Sequence, residues 1–228
     1  SGAAVPPQVR VALAVGLAMA LGPLIACPDP RVLDLPVGGY LLILGGELAL
    51  GGAIGFCLAC LLEAARFAGE MVDLQIGFRA GELYDPVAGG SSSILGRLWY
   101  LAALVFFFQV DGHHWLIGGL ARSYGLCPVG DLAFEREWGL LAGQMLLASF
   151  ALGLRLAAPL VASLVLADVT LGLVSRGMPQ MNILLVGMPA KIIVGLAALA
   201  ACSPGTASAL EAVVALFRDT VLRILAHL

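Results

Sequence analysis

Long apolar runs constrain this chain more than any other feature. Val9–Ala26 carries one charge, Arg10, and Tyr40–Leu62 carries one, Glu47. Ile94–Val110 holds Phe106, Phe107 and Phe108 in succession, and Leu140–Ser175 and Ile183–Ala201 follow. A helix rises about 1.5 Å per residue, so roughly 20 residues cross the hydrocarbon core of a bilayer. The runs lack the period-two alternation of barrel strands. They read as helices. With 61% hydrophobic and 12% charged residues and a mean hydropathy of +1.00, the chain has too little polar surface to clothe a soluble globule. Lipid or other apolar protein must cover the remainder. The expectation is an all-α polytopic membrane protein of bent and kinked helical hairpins, forming one domain over 1–228.

Breaks between the runs set the organisation. Pro28, Pro30 and Pro36, with Asp29 and Asp34, make a loop. The run from Tyr40 continues as a more polar helical pattern to about Gln75. Phe78–Ser93 is rich in Gly and Ser, holds Pro86, and reads as a flexible loop. Asp111-Gly112 interrupts the next apolar stretch, which is one bent helix or a helical hairpin. Pro159 predicts a kink or break inside Leu140–Ser175. Ser203-Pro204-Gly205 is expected to end the run from Ile183. Ser208–Leu228 then forms an amphipathic C-terminal helix, opened by the capping-box spacing of Ser208 and Glu211. It lies on a membrane or a partner, or packs against the rest of this chain.

Ionic residues within this apolar frame are the candidate contact positions. Glu63, Arg66, Glu70 and Asp73 step at helical spacing onto one face, which is too costly to meet lipid. That face pairs with neighbouring subunits, lines a wet conduit, or leaves the membrane and is solvated. Glu47 sits among apolar residues, which favours a hydrogen bond within an assembly over a proton relay. Gly51 and Gly55 after it form a small-xxx-small face, widened by Gly52. Arg155 and Asp168 are too far apart along one helix to pair. They and Lys191 each need a partner elsewhere.

Other chemistries find little support. The net charge of −3 gives no field for nucleic acid. Cys57 and Cys60 make a CxxC, but no second pair or histidine follows at zinc-finger spacing, so the cysteines read as small buried side chains. Asp111-Gly112-His113-His114 invites a metal, yet adjacent histidines on a helix point about 100° apart. No HExxH, GxSxG or GK[ST] motif occurs. The chain is expected to be no enzyme and to hold no metal or cofactor.

Three ordered stretches resemble the FliR/SctT family of export-gate proteins. They are GEMVDLQIGFRAGELYDP (Gly69–Pro86), FFFQVDGHHWLIGGLARSYGLCP (Phe106–Pro128) and ADVTLGLVSRGMPQMNILLVGMPAKIIVGL (Ala167–Leu196). The flagellar branch fits their wording better than the injectisome branch. The family's first hydrophobic segment would precede Pro6-Pro7, so the chain is expected to be a fragment. The resemblance implies a subunit of the flagellar type III export gate in the bacterial inner membrane, within the flagellar basal body. Its partners would be FliP, FliQ and FlhB homologues, membrane lipid, and the unfolded flagellar proteins passing through the pore. It makes Phe78–Ser93 the plug loop, with Phe78, Leu83, Tyr84, Asp85 and Pro86 in the seal or in an ordinary outer connection. Glu47, Glu63, Arg66, Glu70, Asp73, Asp111, Arg155, Asp168 and Lys191 would lie at subunit boundaries. Gly112, His113, Pro179, Gln180, Asn182 and Pro189 would be structural. The rival reading is a small multispan solute transporter, with Glu47, Asp111, Asp168 and Lys191 around a midplane site.

Overall fold

A computed structural model describes residues 6–24, 36–77, 93–126, 128, 137–178 and 183–226. The described residues form helices and contain no strand. Helix α1 spans Pro7–Leu21 and runs into a 3-10 turn, Gly22–Leu24. Helices α2 (Val37–Ile76), α3 (Ile94–Gln109), α4 (Gly112–Leu126), α5 (Glu137–Gly177) and α6 (Ile183–Ala226) follow. Local chemistry sets several of the ends. Proline opens α1, where its missing N–H has no helical partner to lose. Gly77 closes α2 in the left-handed region at φ 89°, and its N–H donates to the Asp73 carbonyl. The Ser93 side chain caps α3 by accepting from the Gly96 N–H.

Helix α2 is the central element. It packs on α3, α5 and α6, while α6 also packs on α5 and α4. Its buried stripe runs Leu50, Ile54, Cys57, Leu61, Ala65, Ala68, Val72 and Ile76, at the spacing of one helix face. Met145, Leu160 and Leu164 of α5 and Phe217 of α6 complete the core. At 40 residues, α2 is roughly 60 Å long, about twice the hydrocarbon thickness. Helix α5 has 41 residues. Helices α3 and α4 meet at a 65° bend, so the bent pair expected around Asp111-Gly112 is present.

Three sequence expectations need correction. Helix α1 has 15 residues, roughly 22 Å, which is short of a span. The stretch from Val9 is cut where Gly22-Pro23 tightens the chain into the 3-10 turn. Helix α5 passes Pro159 without a break, so of the kink or break expected there the break is ruled out. Pro159 lies on the exposed side, and the buried Leu156, Ala157, Leu160 and Leu164 hold both flanks in the core. Helix α6 likewise continues through Ser203-Pro204-Gly205. Packing on both sides of that triplet, at Leu199 and Cys202 and then at Phe217 and Val221, outweighs its poor helix propensity. The amphipathic C-terminal segment is thus the end of α6, and its Leu216, Phe217 and Val221 pack on this chain.

Candidate functional site

The densest set of polar contacts surrounds the C-terminal end of α2. Asp73 is 0% exposed. One of its carboxylate oxygens accepts from the Ser93 hydroxyl and from the Leu95 N–H at 3.1 Å. The Ser93 oxygen accepts in turn from Gly96 N–H at 2.8 Å. The carboxylate therefore sits against the first turn of α3, where free N–H groups and the positive end of the helix dipole favour an anion. The backbones cross closely here. A Cβ on Gly69 would lie 2.5 Å from the Leu95 carbonyl oxygen and 2.6 Å from Gly96 Cα. Residues 77 and 93, the two ends of the Gly/Ser-rich stretch, are thereby anchored to one another through α2 and α3.

A second set grips the same helix end from the opposite side. Lys191 of α6 pairs with Asp168 of α5 at 2.5 Å. Gln75 of α2 donates to Asp168 at 3.4 Å, and Lys191 reaches the Gln75 carbonyl at 3.4 Å. A cation beside the last carbonyls of α2 complements the negative end of that helix. Below it Gly195 lets α6 approach, since a Cβ there would lie 2.6 Å from Ile76 Cδ1. Helices α3, α5 and α6 together form a collar around the end of α2.

The expected contact residues divide accordingly. Asp73, Asp168 and Lys191 find their partners inside this chain. Glu63, Arg66 and Glu70 pair along α2, with Arg66 at 3.4 Å from Glu63 and 2.9 Å from Glu70. They remain half open to solvent, beside a hollow of about 320 Å³ lined by Phe56, Phe67 and Phe150. The single face expected for these charges does not hold over its full length. At about 100° per residue the stripe turns roughly 80° between Glu63 and Asp73, which carries Asp73 into the core. Glu47 is half-buried and faces Tyr124 of α4, and one of its carboxylate oxygens is buried without a hydrogen bond. Arg155 is exposed and without a partner among the described residues. Pro189 lies exposed within α6. Phe78, Leu83, Tyr84, Asp85 and Pro86, and Pro179, Gln180 and Asn182, lie outside the described residues.

The Asp111-Gly112-His113-His114 corner is closer-knit than helical divergence suggests. Asp111 adopts φ 56°, and the His113 and His114 rings lie 4.1 Å apart. Gly112 sits under Phe107, whose ring would be 2.3 Å from a Cβ there. Donor atoms of Asp111, His113 and His114 lie within 4.8 Å of one another. A tetrahedral zinc ion with bonds of about 2.1 Å wants its ligands roughly 3.4 Å apart, so holding one would require the exposed Asp111 and His114 to move. As they stand, His114 and Asp111 hydrogen-bond at 3.2 Å across the first turn of α4.

Sequence reasoning missed Ser93, Gln75, Gly195 and Tyr124. Ser93 carried a usable signal, a cap-forming serine directly before an apolar run. The other three act through helices distant in sequence, and no local pattern marks them.

Comparison with known proteins agrees with this architecture. Residues 1–217 match the family model for bacterial export proteins, family 1. The flagellar biosynthetic protein FliR of Bacillus subtilis is 32% identical over 202 residues, covering 87% of this chain and 76% of that protein. FliR of Escherichia coli is 31% identical over 205 residues, covering 88% and 76%. The secretion system apparatus protein SsaT of Salmonella typhimurium is 31% identical over 163 residues, covering 68% and 60%. With long apolar helices of the kind found here, the chain belongs to the bacterial export proteins, family 1, the FliR/SctT family, as a membrane-embedded member.

Proposed function

We propose that this chain is a subunit of the flagellar type III export gate. It assembles with FliP- and FliQ-type proteins, and with an FlhB-type protein outside them, around a pore for unfolded flagellar proteins in the bacterial inner membrane. The observation that carries this reading is the surface of α2. Its first half is apolar and open, with Leu41, Leu42, Leu44 and Leu48 exposed, and among the described residues no helix packs on Gly51, Gly52 or Gly55. Glu47 lies in that surface with an oxygen that lipid tails cannot satisfy. Neighbouring subunits supply both close packing and hydrogen-bond donors. Glu63, Arg66, Glu70 and Arg155 are the further boundary contacts.

Within the gate, 78–92 acts as plug, with Phe78, Leu83, Tyr84, Asp85 and Pro86 in the seal. A plug must yield while its frame does not. The collar of Asp73, Ser93, Asp168 and Lys191 fixes both ends of this stretch in rigid helices. The role is mechanical, not catalytic: apolar side chains exclude water at rest and move aside for the passing chain. Two experiments test it. Co-expression with FliP and FliQ homologues should bring this chain into their complex, and its absence from that complex defeats the assembly. Leu83→Gly with Tyr84→Gly should raise the resting ion conductance of the assembled gate, and unchanged conductance defeats the plug.

A further inference from the structure

A groove on the far side of the fold from the collar has a different chemistry. Trp115, Gly118, Gly119 and Arg122 recur at three, four and seven residues, so they form one face of α4. The end of α6 supplies the opposite wall through Phe217, Arg218 and Val221. The hollow between them is about 470 Å³. It exists because two glycines stand where side chains would fill it, and a Cβ on Gly118 would meet nothing within 4 Å. Among the described residues no carboxylate lines it. Arg122 has no ion pair among the described residues. The Arg218 guanidinium lies 5.1 Å over the Trp115 ring, which holds it at the rim. Among the described residues its only carboxylate contact is the exposed neighbour Asp219 at 3.3 Å, a weak pairing.

We propose that this groove binds one anionic phospholipid. Arg122 and Arg218 hold the phosphate, and an acyl chain lies along Phe217, Val221 and the space left by Gly118. Charge and apolarity together select this occupant. A free inorganic anion has no use for the apolar floor, and a neutral apolar ligand has none for Arg122, which has no ion pair among the described residues, or for Arg218, held only by the exposed Asp219. A tryptophan beside arginines is also the composition of a membrane–water boundary, where headgroups lie.

Quenching of Trp115 by brominated acyl chains tests the assignment. The assembled full-length protein is placed in phosphatidylcholine vesicles containing increasing brominated phosphatidylglycerol, and the signal of Trp115→Phe is subtracted. Half-maximal quenching should come at roughly tenfold lower mole fraction with brominated phosphatidylglycerol than with brominated phosphatidylcholine. Arg122→Gln with Arg218→Gln should remove that tenfold preference. Gly118→Leu should abolish quenching, because its side chain enters open space without displacing any atom. Native mass spectrometry of wild type and Gly118→Leu, counting retained phosphatidylglycerol, gives the same comparison without altering Trp115. Equal quenching by the two lipids, or a preference indifferent to both arginines, overturns the proposal. So does displacement of the lipid by millimolar inorganic phosphate. Crosslinking of position 122 to an acidic residue of another subunit would show a protein contact in the groove and overturn it as well.

Discussion

The two halves of α2 are both largely apolar, with one ionic residue in the first and four in the second, and they have opposite surroundings. In residues 37–56, Leu42 is 80% exposed and Leu48 73%, and five glycines, Gly38, Gly45, Gly51, Gly52 and Gly55, look onto open space among the described residues. In 57–76, Leu61, Ala65, Ala68 and Val72 are at most 2% exposed, and Gly69 touches the backbone of α3. The second half is this chain's own core. Among the described residues the first is a core half-built, and neighbouring subunits are proposed to supply its other side. Hydrophobicity alone cannot separate the two. What separates them is whether the glycines are already matched: Gly69 meets the backbone of α3, Gly51, Gly52 and Gly55 meet nothing among the described residues, and Asp73 and Glu47 each keep one carboxylate oxygen unbonded.

The sharpest way to break this contrast is to fill glycines in each half. Gly69→Leu should prevent the crossing of α2 and α3 and abolish recovery of folded protein, since backbone atoms stand 2.5 Å from its Cβ. Gly51→Leu should leave the thermal stability of the isolated protein within about 0.5 kcal/mol. It should still remove the chain from complexes with partner subunits. Next in size, Leu61→Ala should cost about 2–5 kcal/mol in reversible unfolding in detergent, while Leu42→Ala costs under about 0.5 kcal/mol. Asp73→Ala leaves the Ser93 hydroxyl and the first N–H groups of α3 short of an acceptor and should cost about 1–3 kcal/mol. Ser93→Ala should lose about 1 kcal/mol as a helix cap. The smallest effect belongs to Arg66→Gln, whose exposed pairing with Glu63 and Glu70 is worth about 0.5 kcal/mol, visible only at low salt.

Much of this architecture was legible beforehand because it follows from period and punctuation. The run from Tyr40 to about Gln75 is one helix, and Asp111-Gly112 marks the bend. Errors fell where tertiary packing overrides local propensity. Pro159 reads as a kink or break and Ser203-Pro204-Gly205 as an end, yet buried leucines and Phe217 carry the helices through without interruption. The collar was half legible. Asp73, Asp168 and Lys191 stood out as charges in apolar surroundings. Their pairing did not, because Asp168 meets Lys191 and Gln75 only once α2, α5 and α6 are packed together. Helical drift hid the rest, since a charge stripe that begins on the outside at Glu63 ends inside at Asp73.

The central claim is that other subunits, rather than lipid, cover the first half of α2. A photo-crosslinking residue at position 42 or 48 in the assembled export apparatus tests it most directly, with position 61 as the internal control. The account predicts protein adducts to other subunits from 42 and 48, and adducts confined to this chain from 61. Adducts from 42 and 48 found only on lipid would contradict it.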